Sequence, residues 1–171
     1  MYRLNAIFRP LIWPRIAFLI SAGMLCSAWA FQYIGGLAPC QMCYWQRHGH
    51  KAVLAVSAAV ILMLLLRADT KYLRTGLGLI TLAFAVSCGL GAWHMGVEYG
   101  WWEGPKTCMA PPLGPITMGG FEDSLNEPIK LPACSDVVWS LLGLSMAGWN
   151  ALVSGVAALI SLIVMTKKGD A

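Results

Sequence analysis

Pro39-Cys40-Gln41-Met42-Cys43-Tyr44-Trp45-Gln46-Arg47-His48-Gly49-His50-Lys51 runs straight into the apolar stretch 52–66. A helix that starts near Pro39 makes Cys43 and Arg47 i,i+4 neighbours, with His50 on the same face at i+7. The first-turn N–H groups and the helix dipole favour an anion, and so does a guanidinium. Both effects pull a thiol toward thiolate, the species that does redox chemistry. The stretch therefore places a reactive C-x-x-C dithiol at the mouth of an apolar helix.

That helix belongs to a membrane protein. Of 171 residues, 58% are hydrophobic and only 12% charged, against about 25% charged in soluble domains. Mean hydropathy is +0.64. This charge cannot cover a soluble globule. The basic residues behind the net charge of +4 form no long block, so nucleic acid is not an expected partner. The expected fold is a single all-α membrane domain, 1–171.

A span needs about 20 mostly apolar residues. Four stretches qualify, 16–34, 48–66, 75–97 and 147–165, and predict a four-transmembrane-helix bundle. The last apolar region is too long for one span and is interrupted by Gly148, Trp149 and Asn150. Residues 137–146, weakly amphipathic, are expected to form a short interfacial helix before the final span. The expected outer loops are 35–47 and 98–146. The second is long and rich in Pro and Gly, as functional or flexible loops are.

Basic residues set the orientation. Arg3, Arg9, Arg15, Arg67, Lys71, Arg74, Lys167 and Lys168, eight of twelve, fall on one side. Arg47, Lys51, Lys106, Lys130 and most of the acids fall on the other. Both termini are expected to be cytoplasmic and both cysteine loops outside, which in a bacterium is the periplasm, where disulfides persist. A competing reading makes the N-terminus a signal peptide cleaved after Ala28-Trp29-Ala30. The apolar run continues past that point to Ile34, Trp29 is bulky, and cleavage would leave three spans. The segment is read as the first span.

A C-x-x-C pair is a redox dithiol, half a zinc site or a haem attachment. Haem attachment needs His at position 44, which is Tyr. Zinc bound by Cys40, Cys43, Cys108 and Cys134 is conceivable, although the last two form no second C-x-x-C. The preferred reading is two redox-active disulfides, one per outer loop. For Cys108 and Cys134 a structural staple is the plain alternative. Cys26 and Cys88 lie in apolar runs and read as packed hydrophobes. His94 is either a satisfied interfacial group or a ligand contact. His48 and His50 read as interfacial, with His50 the better site candidate. The tryptophans cluster near span ends as an aromatic belt. A dithiol oxidised repeatedly needs an electron sink. The loops carry no flavin or NAD fingerprint, whereas a membrane quinone needs only a pocket at the depth of Cys43, Arg47 and His50.

The motif Cys-x-x-Cys-x-x-x-Arg at the start of the second of four spans, two cysteines in a long outer loop, and the segment from Cys134 to Trp149 together resemble the DsbB family of disulfide bond formation proteins. The resemblance covers essentially the whole chain. It implies an inner-membrane thiol:quinone oxidoreductase that reoxidises the periplasmic thioredoxin-fold oxidase DsbA. In that frame Cys108 takes the mixed disulfide with DsbA and Cys134 is its partner. Cys40 exchanges with that pair, and Cys43 passes electrons to ubiquinone or menaquinone. Arg47 helps to hold the quinone, with His50 and His94 as further cofactor contacts. No metal is expected. The alternatives are a DsbB-like paralogue serving another oxidase, or a non-enzymatic membrane protein with structural disulfides or a four-cysteine metal site.

Overall fold

Pro14 stands in the first turn of α1 (Trp13–Tyr33), where a missing N–H forfeits no helical bond. The computed structural model describes residues 9–66, 70–108 and 133–167. Arg3, Arg67, Lys130, Lys168 and residues 109–132 of the expected second outer loop lie outside the described residues. After α1 come α2 (Gln41–Leu65), a 3-10 turn (Thr70–Tyr72), α3 (Leu73–Glu98), a second 3-10 turn (Lys106–Cys108), β1 (Ser140–Leu141), β2 (Leu144–Ser145) and α4 (Met146–Thr166). The four α-helices are each long and apolar enough to cross a membrane. They form a four-helix membrane bundle, with α3 packed most extensively against α4 and α2 lying between α1 and α3.

The second helix begins well before residue 48. Cys40 is its N-cap and accepts the Cys43 N–H on its own sulfur. Cys43 and Arg47 are therefore helical, and the link from α1 shortens to 34–40. The polar residues that end the apolar run in sequence, Gln46 and His50, are buried inside the bundle with partners there. Hydropathy alone places the helix start too late for that reason.

The expected interfacial helix over 137–146 is not formed. Residues 140–145 make a two-stranded antiparallel hairpin, Ser140 opposite Ser145 and Leu141 opposite Leu144. Its turn residues Leu142 and Gly143 have φ of 53° and 79°, the left-handed pair that a two-residue hairpin turn requires. Side chains pin it. Tyr99 Oη donates to the Gly143 carbonyl at 2.8 Å and Trp149 Nε1 to the Leu141 carbonyl at 3.1 Å. Ser145 then caps α4, its Oγ accepting from the Gly148 N–H at 3.1 Å.

The core is layered along the bundle. Trp13, Val60, Leu73, Leu77 and Val164 fill one end, and Ala17, Val53, Ile80, Phe84 and Ala157 the next layer. Cys40, Met42, Val97, Cys108 and Cys134 fill the far end. Between the second and third layers sit buried polar residues, among them Ser21, His50, Ser87, Asn150 and Ser154. Gly91 permits the α3–α4 approach: a Cβ there would stand 2.8 Å from the Ala151 nitrogen. Small residues at helix crossings do this throughout membrane bundles. Leu19, Leu62, Leu82 and Leu159 point outward, exposed, as a lipid-facing surface requires.

Candidate active site

The four cysteines of the motif meet at one end of the bundle. Cys108 and Cys134 are disulfide-bonded, with Cα atoms 5.5 Å apart, and the Cys134 N–H donates to the Cys108 carbonyl at 3.0 Å. Cys40 and Cys43 are free thiols with sulfurs 3.0 Å apart. Cys40 Sγ, Cys134 Sγ and a ring nitrogen of His94 all lie within 4.8 Å of one another. The two cysteine pairs are thus adjacent and meet through Cys40 and Cys134. Cys26, exposed, and Cys88, half-buried in α3, stand apart from them.

The activated sulfur is that of Cys40. The hydrogen bond from the Cys43 thiol pulls the Cys40 thiol down to about 4, and the His94 ring and the Cys43 N–H add to this against the cost of burial. The N-cap position acts in the same direction: the sulfur sits on the positive end of α2, which favours an anion. The Arg47 guanidinium, expected beside Cys43, instead turns to α1. It donates to Gln32 Oε1 at 2.5 Å and to the Ala28 carbonyl at 3.2 Å, and lies 5.3 Å from the Tyr44 ring centroid.

A cavity of about 270 Å³ opens beside the dithiol, and Cys40, Cys43, Arg47, Phe31, Trp139 and Met24 are among its walls. Ligand pockets run from ~300 to 1,000 Å³, so this one suits a ring-sized head group. Phe31 and Trp139 pack against each other in its wall, tilted by 53° with centroids 5.0 Å apart. His50 also borders it, yet both of its ring nitrogens are engaged: Nδ1 with Ser21 Oγ at 3.2 Å and Nε2 with Asn150 Oδ1 at 2.7 Å. His94 lies against the cysteines, with Nε2 3.5 Å from Cys40 Sγ and 4.0 Å from Glu98 Oε1.

Sequence reasoning missed Gln46, Glu98, Ser145 and Asn150. Gln46 bonds His94 at 2.8 Å and Asn150 at 2.7 Å. Ser145 Oγ donates to Glu98. In the sequence Asn150 stands out only as a break in an apolar run. A polar residue within a span usually has a functional partner, and that signal would have found it.

A membrane bundle that holds a dithiol against a disulfide, over an apolar cavity, is a protein built for thiol–disulfide exchange at the bilayer. The chain belongs to the DsbB family: the family model described as "Disulfide bond formation protein DsbB" matches residues 11–164. It is 28% identical to disulfide bond formation protein B of Marinobacter nauticus over 159 residues, 90% of each chain. It is 31% identical to the Xylella fastidiosa protein of the same name, covering 86% of this chain and 84% of that one. The namesake from Xanthomonas oryzae pv. oryzae is 32% identical over 79% of this chain and 78% of its own. No solved structure matches the chain.

Proposed function

We propose that the protein is a thiol:quinone oxidoreductase of the inner membrane that reoxidises a periplasmic DsbA-like thioredoxin-fold oxidase. The observation that carries this reading is the approach of Cys40 to Cys134, which links the two cysteine pairs, next to a cavity walled by Cys43 and Arg47. In this reading the partner's dithiol attacks Cys108, releasing Cys134 as a thiolate. Attack by the second partner thiolate on the partner's own bridged sulfur frees the oxidised partner, and Cys108 and Cys134 are left as the reduced pair. Cys134 then attacks Cys40 of an oxidised Cys40–Cys43 pair, displacing Cys43. Cys108 closes the Cys108–Cys134 disulfide again, and Cys40 leaves. The readily ionised thiol of Cys40 makes it a good leaving group.

The cavity suits a quinone. It is apolar but for a few groups, its size fits a substituted ring, and a guanidinium has five N–H donors, of which Arg47 commits two within the protein. A bound ubiquinone or menaquinone supplies an acceptor for two electrons and two protons. Arg47 would hold a ring oxygen, Phe31 and Trp139 would offer an aromatic wall to the ring, and the apolar walls would exclude water from the dithiol.

Cys134→Ser tests the partner step. The free Cys108 of this variant should trap a mixed disulfide with a thioredoxin-fold oxidase, seen as a reducible adduct on a non-reducing gel. No adduct, or an adduct through Cys43, overturns the role of Cys108. Orientation follows from the basic residues. A periplasm-active reporter fused after Ala171 should be silent and one fused near Gly119 active, and the reverse pattern overturns the topology.

A further inference from the structure

A line of buried side chains joins the redox centre to the middle of the bundle. Ser21 Oγ lies 3.2 Å from His50 Nδ1, and His50 Nε2 lies 2.7 Å from Asn150 Oδ1. Asn150 Nδ2 donates to Gln46 Oε1 at 2.7 Å, and Gln46 Nε2 lies 2.8 Å from His94 Nδ1. His94 Nε2 ends the line 3.5 Å from Cys40 Sγ. Every member is buried, from Ser21 at 0% exposed to Gln46 at 7%.

An amide has one donating end and one accepting end, so a single fixed amide orients the whole line. Asn150 is fixed. Its Nδ2 also donates to the Ser87 carbonyl at 3.4 Å, a group that only accepts, and its Oδ1 accepts from Ser154 Oγ at 3.3 Å. Gln46 must then point its oxygen at Asn150 and its NH2 at His94. A neutral His94 that accepts on Nδ1 carries its proton on Nε2, the nitrogen that faces Cys40. By the same logic His50 is protonated on Nε2 and accepts the Ser21 hydroxyl on Nδ1.

We infer that Gln46, Asn150 and His50 are positioning residues that fix the tautomer of His94, so that an N–H and never a lone pair meets the Cys40 sulfur. The inference rests on the reading of Cys40 as the exchanging sulfur. The opposite tautomer would set a lone pair against a thiolate and oppose the charge that leaves on Cys40 in each exchange. The other titratable groups near the ring are Glu98, one turn along the same helix at 4.0 Å, and Cys40 itself. Cys134, in its disulfide, carries no charge. None of these bonds Nδ1, whose partner is Gln46; the Cys134 backbone bonds the His94 ring as well.

The chain has three histidines, so nitrogen NMR of protein labelled with 15N-histidine, in bilayers at neutral pH, resolves each ring once assigned by substitution. The expected result is Nε2–H for both His94 and His50. Gln46→Glu puts an acceptor where the donor stood, and His94 should then carry a proton on Nδ1. Asn150→Leu touches neither His94 nor Cys40 but releases Gln46, and the His94 signal should change from one tautomer to a mixture. Ser57→Ala removes a buried hydroxyl that has no partner among the described residues and should leave the ring signals unchanged. A wild-type His94 protonated on Nδ1, or a His94 tautomer unmoved in Gln46→Glu, overturns the inference. The second criterion stands even if Asn150→Leu fails to fold. Failure of the exchange reading shows separately: Cys40→Ser would then keep quinone turnover, whatever the tautomer.

Discussion

A Cys43→Ser protein should turn over no quinone at all, while its Cys108–Cys134 disulfide still accepts one pair of electrons from a dithiol. Two-electron oxidation of the inner pair needs both sulfurs to close a disulfide, and that pair cannot form once Cys43 is gone. The disulfide of the outer pair rests on other residues, held by the Cys134 N–H to the Cys108 carbonyl. The experiment compares a single-turnover burst of dithiol oxidation with steady-state quinone absorbance. Burst without steady state is expected, and steady quinone reduction in Cys43→Ser would remove the inner pair from the electron path. Cys43→Ala adds a second readout. The bond from the Cys43 thiol is the main reason the Cys40 thiol stands near 4. A lowered value means the thiolate persists at pH values where an ordinary thiol is protonated and is lost only further into acid. Taking the thiol away should move the midpoint of Cys40 alkylation up toward the ordinary thiol range, whereas Ser, which still donates, should move it less. An unmoved midpoint in Cys43→Ala would place the source of activation elsewhere.

The bundle is legible in the sequence because lipid imposes one strong rule, a long apolar run for each helix. The cysteines are legible because C-x-x-C at a helix start has few uses. What stays hidden are features that depend on helices meeting one another. Gln46 and His50 look like the wet entrance to a span, since nothing local shows that they face Asn150 and Ser21 across the bundle. Residues 137–146 carry a helical pattern too weak to compete with two positive-φ turn residues and the side chains of Tyr99 and Trp149 that hold the hairpin. Spacing puts Arg47 on the right helix, but its guanidinium has a choice of neighbours that spacing does not decide. The Gln32 side chain and the Ala28 carbonyl on α1 take it rather than the Cys43 sulfur.

That position gives the sharpest expectation for Arg47. It stands in the cavity wall, anchored to α1, so its proposed task is to offer a charged donor to a ring oxygen rather than to activate a thiol. Loss of one charge-assisted hydrogen bond of ~1.5–3 kcal/mol weakens binding roughly ten- to hundredfold. Arg47→Ala should therefore raise the apparent quinone KM by about that factor, with the Cys108–Cys134 disulfide intact and the alkylation midpoint of Cys40 unchanged. Arg47→Lys keeps the charge and loses the planar fork, which is not equivalent at a carbonyl oxygen, so it should fall between wild type and Ala. Because the guanidinium also ties α1 to α2, a purely structural role has to be separated from a binding one. Gln32→Leu removes one of its two bonds to α1 and leaves the guanidinium in place on the Ala28 carbonyl. If Arg47 acts through the quinone, Gln32→Leu should lower thermal stability while changing KM much less than Arg47→Ala. If Gln32→Leu and Arg47→Ala raise KM equally, Arg47 serves to hold the helices together and the quinone is held by other groups. Wild-type quinone kinetics in Arg47→Ala would take Arg47 out of the site altogether.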